Sequence, residues 1–305
     1  MLTVQFLITT AYGAASFYLY TLIVYMMIRR WNEYNTTFFK LFIIEYCFNL
    51  LTFLNSFITL RAPQNTCKDC VFAFLFDRNS SPSVDNFPLQ LFFTLHYGMA
   101  FIQYSMTFLV ALNRLSMVLL VNSYEKFWRP ALPFFLFAIV LYPLIVTLPI
   151  ATNNAYYLYI PGLKAYATKS ATDVTDILSN LTNFMIGITA LTTIVNVLAI
   201  IRLKCLHSRI SGAERNLFTV SFVSLVIQLL ALGDTLILLL ASADAMSVGT
   251  QTAKVLMPFV SDLLTLNHPW TLMYFSTKVR LSMANDHFPS LRNRVRDGKT
   301  PSSVF

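Results

Sequence analysis

Seven runs of more than twenty mostly apolar residues, at 4–28, 38–60, 89–113, 131–152, 177–201, 216–243 and 255–276, dominate this sequence. A helix needs about 20 such residues to cross the hydrocarbon core of a bilayer. Lipid offers no hydrogen-bond partner, so a segment inside it must satisfy its own backbone, and a helix does so. The runs therefore predict an all-α membrane protein, a bundle of seven transmembrane helices over 1–276 followed by a basic tail over 277–305. A soluble fold is excluded by composition. The chain is 56% hydrophobic and 12% charged, against roughly 25% charged in soluble proteins. The first run lacks a basic leader and exceeds the roughly 7–15 apolar residues of a cleaved signal peptide.

The net charge of +8 reads as a topology signal rather than a nucleic-acid footprint, because the basic residues flank apolar segments. Sixteen of the 22 Lys and Arg fall on one side, around Arg29-Arg30, Lys126-Arg129, Arg202-Arg215 and the tail, and six on the other. This places the N-terminus outside and the tail in the cytosol. The sequon Asn79-Ser80-Ser81 then faces outward and Asn35-Thr36-Thr37 inward, while Asn180 sits too close to the bilayer for modification. Asn79 is the expected glycosylation site.

Little else carries chemistry. There is no internal repeat, phosphate loop or nucleophile elbow. His207 and His287 fall in cytosolic segments, which leaves His96 and His268 in the spans, short of three zinc ligands. No catalytic residue, metal or cofactor is expected, and the chain does not read as an enzyme. A secondary transporter stands as the alternative, with Pro143 and Pro149 disturbing the fourth span, although such folds usually carry internal halves. Cys67 and Cys70, in the first outer loop, are placed to close a small disulfide ring in an oxidising exterior. Cys205 is either a palmitoylation site or an inert thiol, and the final Ser303-Val304-Phe305 is a weak match to a strand-adding terminal motif.

The polar residues of the spans fall into stripes. His96, Gln103, Thr107 and Arg114 share one face of the third helix, and Glu45, Asn49, Thr52 and Ser56 one face of the second. Such stripes must turn inward, and Ser, Thr and Asn there commonly join helices. Ionisable residues in a bilayer mark functional sites by default. His96, Asp234 and Asp262 all lie roughly 10–14 Å below the outer surface at ~1.5 Å per residue. They outline either a ligand pocket, with Gln103, or a mutually satisfied structural network. Glu45, about 10 Å from the cytosolic face, is either a packing switch or a satisfied acid. Arg114 falls at the cytosolic mouth of the third helix, within snorkelling reach of water.

The stretches "FFKLFIIEYCFNLLTFLNSFITLRAPQNTCKDC", "LHYGMAFIQYSMTFLVALNRLSM", "SRISGAERNLFTVSFVSLVIQLL" and "HPWTLMYFS" resemble the nematode chemoreceptor family called serpentine receptor, class gamma. The resemblance covers about Phe38 to Ser276. It implies a chemosensory G-protein-coupled receptor in the plasma membrane of sensory neurons, including their cilia. Its partners would be a small-molecule or peptide ligand outside and a heterotrimeric G protein inside. The chain departs from the broader rhodopsin-like pattern. Leu112-Asn113-Arg114-Leu115 has no acid before the arginine, His268-Pro269-Trp270 stands at the seventh-helix motif, and no cysteine marks the outer end of the third helix. In receptors of this architecture the arginine closing the third helix pairs with an acid when inactive. The resemblance thus implies a partner for Arg114 from elsewhere, for which Glu214, beside Arg215, is the expectation, with Glu45 and His268 as further switch residues.

Overall fold

Each apolar run closes its backbone hydrogen bonds within itself, and the result is a bundle of long helices. The computed structural model describes residues 4–70, 72–77, 80–81, 87–162, 164–205, 212–240 and 248–287. Among these, seven helices cross the bundle: α1 (Val4–Arg29), α2 (Thr37–Ser56), α3 (Phe87–Leu119), α4 (Tyr124–Val146), α5 (Thr175–Cys205), α6 (Gly212–Leu240) and α7 (Val248–Phe275), followed by α8 (Thr277–His287). Asn79 and residues 288–305 lie outside the described residues, as does the side chain of Glu214.

Six of the seven are long and apolar enough to cross a membrane. The exception is α7, for a physical reason. Its Asp262, Thr265, Asn267 and His268 are all buried against neighbouring helices, so its polar content faces the bundle rather than lipid. The packing is a ring in which α1 touches α2 and α7, α5 touches α6, and α3 runs through the middle against α2, α4, α5 and α6. By contrast α4 packs mainly on α3, with lesser contacts to α2 and a ring contact from Tyr142 to Phe184 of α5, which leaves its Phe134, Phe137, Leu144 and Ile145 exposed, as a lipid-facing helix requires.

The two ends of the bundle are built differently. At one end, prolines shape the chain. Thr147 N and Oγ1 both return to Pro143 O (2.9 and 2.8 Å), ending α4 before a short turn at Leu148–Ala151. A two-stranded antiparallel hairpin, β1 (Ala155–Ile160) and β2 (Ala165–Ser170), follows. It has no counterpart among the sequence expectations. Directly after α2, residues Phe57–Arg61 continue the helix as a π-helical turn that runs on into Ala62–Gln64. Pro63 has no N–H to give to the carbonyls one turn back, and the hairpin takes them. Tyr157 Oη donates to Ile58 O (3.1 Å) and Thr168 Oγ1 to Thr59 O (2.8 Å). A disulfide joins Cys67 and Cys70 at this end. Just before α5, Asp173 Oδ1 accepts from Thr175 Oγ1 and N (2.7 and 2.9 Å), and these bonds hold its carboxyl below the usual range.

At the opposite end α8 folds back on α1. Val279 and Met283, one helical turn apart, enter the apolar cluster of Tyr20, Met27, Phe38 and Leu272. Arg30 Nε and Nη2 grip Asp286 (3.1 and 2.5 Å), and Tyr34 Oη donates to Ser282 Oγ (2.7 Å). The hairpin end and this tail end each hold a polar cluster.

Candidate functional site

Toward the hairpin end, α2, α3, α5, α6 and α7 part to leave a cavity of about 160 Å³. Its walls include Asn55 from α2, His96, Tyr97, Gln103 and Tyr104 from α3, and Asp234 from α6, with apolar faces such as Met185 and Leu264 between them. Three side chains are pinned. His96 Nδ1 lies 3.3 Å from Thr59 Oγ1, Gln103 Nε2 donates to Asn49 Oδ1 (3.4 Å), and Tyr104 Oη donates to Gln228 O (3.0 Å). Asp234 is different. It is 7% exposed, and its Oδ1 has no hydrogen-bond partner among the described residues. The same holds for Asn55 Oδ1. A buried carboxylate oxygen with no partner is costly, so the cavity carries an unanswered demand for donors.

The structure thus brings His96, Gln103 and Asp234 together and takes Asp262 away. Asp262 is 2% exposed. Its Oδ1 accepts from Arg61 Nη2 and its Oδ2 from Tyr12 Oη. Arg61, counted in the sequence as an outer-loop cation, is buried at 2% exposure. The π-turn carries it into the bundle, where Nε donates to Ser56 Oγ (3.0 Å) and the guanidinium lies 4.6 Å from the Phe53 ring. This ion pair ties α1, α2 and α7 together. Asp262 is absent from the cavity lining, because Arg61 and Tyr12 occupy both of its oxygens.

The tail-end cluster joins four helices. Glu45 Oε2 of α2 is 2.7 Å from His268 Nδ1 of α7, and His268 Nε2 is 3.1 Å from Ser224 Oγ of α6. Arg114 of α3 faces Glu45 and His268 across a cavity of about 10 Å³. Its position corrects the expectation of a snorkelling residue: α3 continues five residues past it, to Leu119, and Arg114 is 3% exposed. The helix continues because its polar residues find partners. Asn113 Nδ2 donates to Tyr124 Oη (2.7 Å), and Ser116 Oγ accepts from Trp128 Nε1 (2.6 Å). Arg114 stacks over Phe38 at 5.1 Å, while its Nε and Nη1 have no partner among the described residues.

A family model described as "Srg family chemoreceptor" matches residues 6–283, nearly the whole chain. This chain belongs to the Srg chemoreceptor family. Serpentine receptor class gamma-31 of Caenorhabditis elegans is 30% identical over 279 residues, 90% of this chain and 89% of that relative. The Srg chain is accordingly a chemosensory receptor built on a seven-transmembrane bundle resembling G-protein-coupled receptors. Several residues of its two clusters were missed by sequence reasoning. Arg61 hid among loop charges, although "TLRAP" places a lone arginine directly before a helix-distorting proline. Tyr12 and Ser224 carried no signal that separates them from ordinary helix contacts.

Proposed function

We propose that this Srg receptor binds a small external molecule in the 160 Å³ cavity and signals through the tail-end cluster to a heterotrimeric G protein. The hairpin end faces outward in the plasma membrane, including the cilia of sensory neurons, and the tail faces the cytosol. The observation that carries the reading is the cavity itself, with the unpartnered Asp234 Oδ1 among its walls. An apolar cavity of about 150 Å³ takes up a benzene-sized molecule, so the volume suits a ligand of that order. A ligand spanning α3, α6 and α7 favours one arrangement of those helices over another by its differential contacts with the two.

At the other end of the same helices, Glu45 is held by His268 while two guanidinium nitrogens of Arg114 stand unpartnered nearby. A small displacement of α7 against α3 lets Glu45 exchange His268 for Arg114, which gives the bundle two discrete states. Cells expressing the chain with a G-protein readout, challenged with a panel of small molecules, test the reading. A response to any of them that is absent from untransfected cells supports it. Uptake of a compound without a G-protein signal would establish a transporter instead.

A further inference from the structure

We infer that the cavity's ligand is a small organic ammonium, with Asp234 as its counter-ion. The inference rests on the cavity being the ligand site. Its unsatisfied atoms are acceptors: the Oδ1 atoms of Asp234 and Asn55 have no donor among the described residues. No lysine or arginine is among the residues lining the cavity, and the arginine at the same end, Arg61, is spent on Asp262. A carboxylate or phosphate ligand would meet Asp234 with no cation to offset it, which the low dielectric of the site penalises heavily. A hydrocarbon would leave the buried Asp234 Oδ1 with no partner. An ammonium supplies both the charge and the donors, and its hydrogen bonds to Asp234 are charge-assisted.

The remaining walls suit the same ligand. Tyr97 and Tyr104 line the cavity, and the Tyr104 hydroxyl is turned away to Gln228 O. Aromatic faces attract a cation within about 6 Å of their centroids. Apolar residues such as Met185 and Leu264 complete the lining, matching a compact hydrocarbon body. The volume restricts that body to about the size of one six-membered ring.

The test compares two probes of one shape, cyclohexylamine (protonated at pH 7) and cyclohexanol, by the thermal stabilisation each gives the full-length receptor in lipid nanodiscs. The expected result is that the amine binds about ten- to hundredfold more tightly than the alcohol. Asp234→Asn should erase that preference, and Asp234→Ser serves as the second variant should the first fail to fold. Ala100→Phe, which fills the cavity, should weaken both probes. Equal binding of amine and alcohol, a preference that survives both Asp234 variants, or no binding of either probe overturns the ammonium. Binding of both probes that Ala100→Phe leaves unchanged overturns instead the cavity as the ligand site.

Discussion

Replacing Asp262 by Asn isolates the buried ion pair from the cavity beside it. In the native bundle Arg61 and Asp262 are each 2% exposed, and Asp262 also accepts from Tyr12. The amide keeps the shape but removes the charge, so the guanidinium is left buried among Phe53, Phe57 and Ser56 without a counter-ion. Breaking one side of a buried pair costs about 3–5 kcal/mol. At roughly 2–4 °C per kcal/mol for a chain of this size, the unfolding temperature should fall by roughly 6–20 °C. Removing both partners, as in Arg61→Met with Asp262→Leu, takes away the uncompensated charge and should recover most of the loss, because apolar replacement of such a pair is often neutral. Thermal unfolding of the wild type, Arg61→Met, Asp262→Leu and the double variant in nanodiscs closes the cycle. Ligand potency in the surviving Asp262→Asn receptor should match wild type. Wild-type stability in Asp262→Asn, or a double variant as unstable as the sum of the singles, refutes the lock.

Three other outcomes follow from the packing and the clusters. Gly13→Ala should cost about 1–3 kcal/mol, since a Cβ there would stand 2.5 Å from the Phe53 ring, which is itself packed against Phe17 and Arg61; unchanged thermal unfolding would mean that the ring swings aside freely. His268→Ala removes the partner that holds Glu45 in the observed arrangement and should raise ligand-independent signalling several-fold at matched surface level, a shift of about 1.4 kcal/mol being tenfold in a two-state ratio. Arg114→Ala should abolish coupling, and a basal level unmoved in His268→Ala would assign the cluster to packing alone. Peptide mapping of receptor from cells should find any N-linked glycan on Asn79, because a glycan on Asn35 would invert the orientation.

The bundle was largely legible because lipid imposes a simple rule, long apolar runs closed on themselves, and the sequence shows seven of them. The rule weakens where polar residues are buried by protein. It ends α3 at Asn113, before Arg114 and Ser116, yet the helix continues because Asn113 and Ser116 meet Tyr124 and Trp128 across the turn into α4. The hairpin had a readable signature in "AYYLYIPGLKAYATKS", an aromatic and β-branched run broken by Pro161-Gly162. The grouping of His96, Gln103 and Asp234 follows from helical spacing and depth. The loss of Asp262 from that group does not. It depends on a contact between residues 201 positions apart and on a π-turn that rotates Arg61 inward, neither of which has a local sequence period. For Arg114 the sequence indicated the correct end of the bundle and the wrong degree of burial.

The external molecule acts in the cavity if the proposed function holds. Ala100 lines the cavity from α3, and a phenyl ring there occupies the space while every residue of the tail-end cluster stays unchanged. The decisive measurement is the concentration–response curve of the G-protein signal to an activating compound, for wild type and Ala100→Phe at equal surface expression. The account predicts that the evoked response disappears, or shifts at least tenfold to higher concentration, while basal signalling stays at the wild-type level. A superimposable curve in the filled receptor would contradict it.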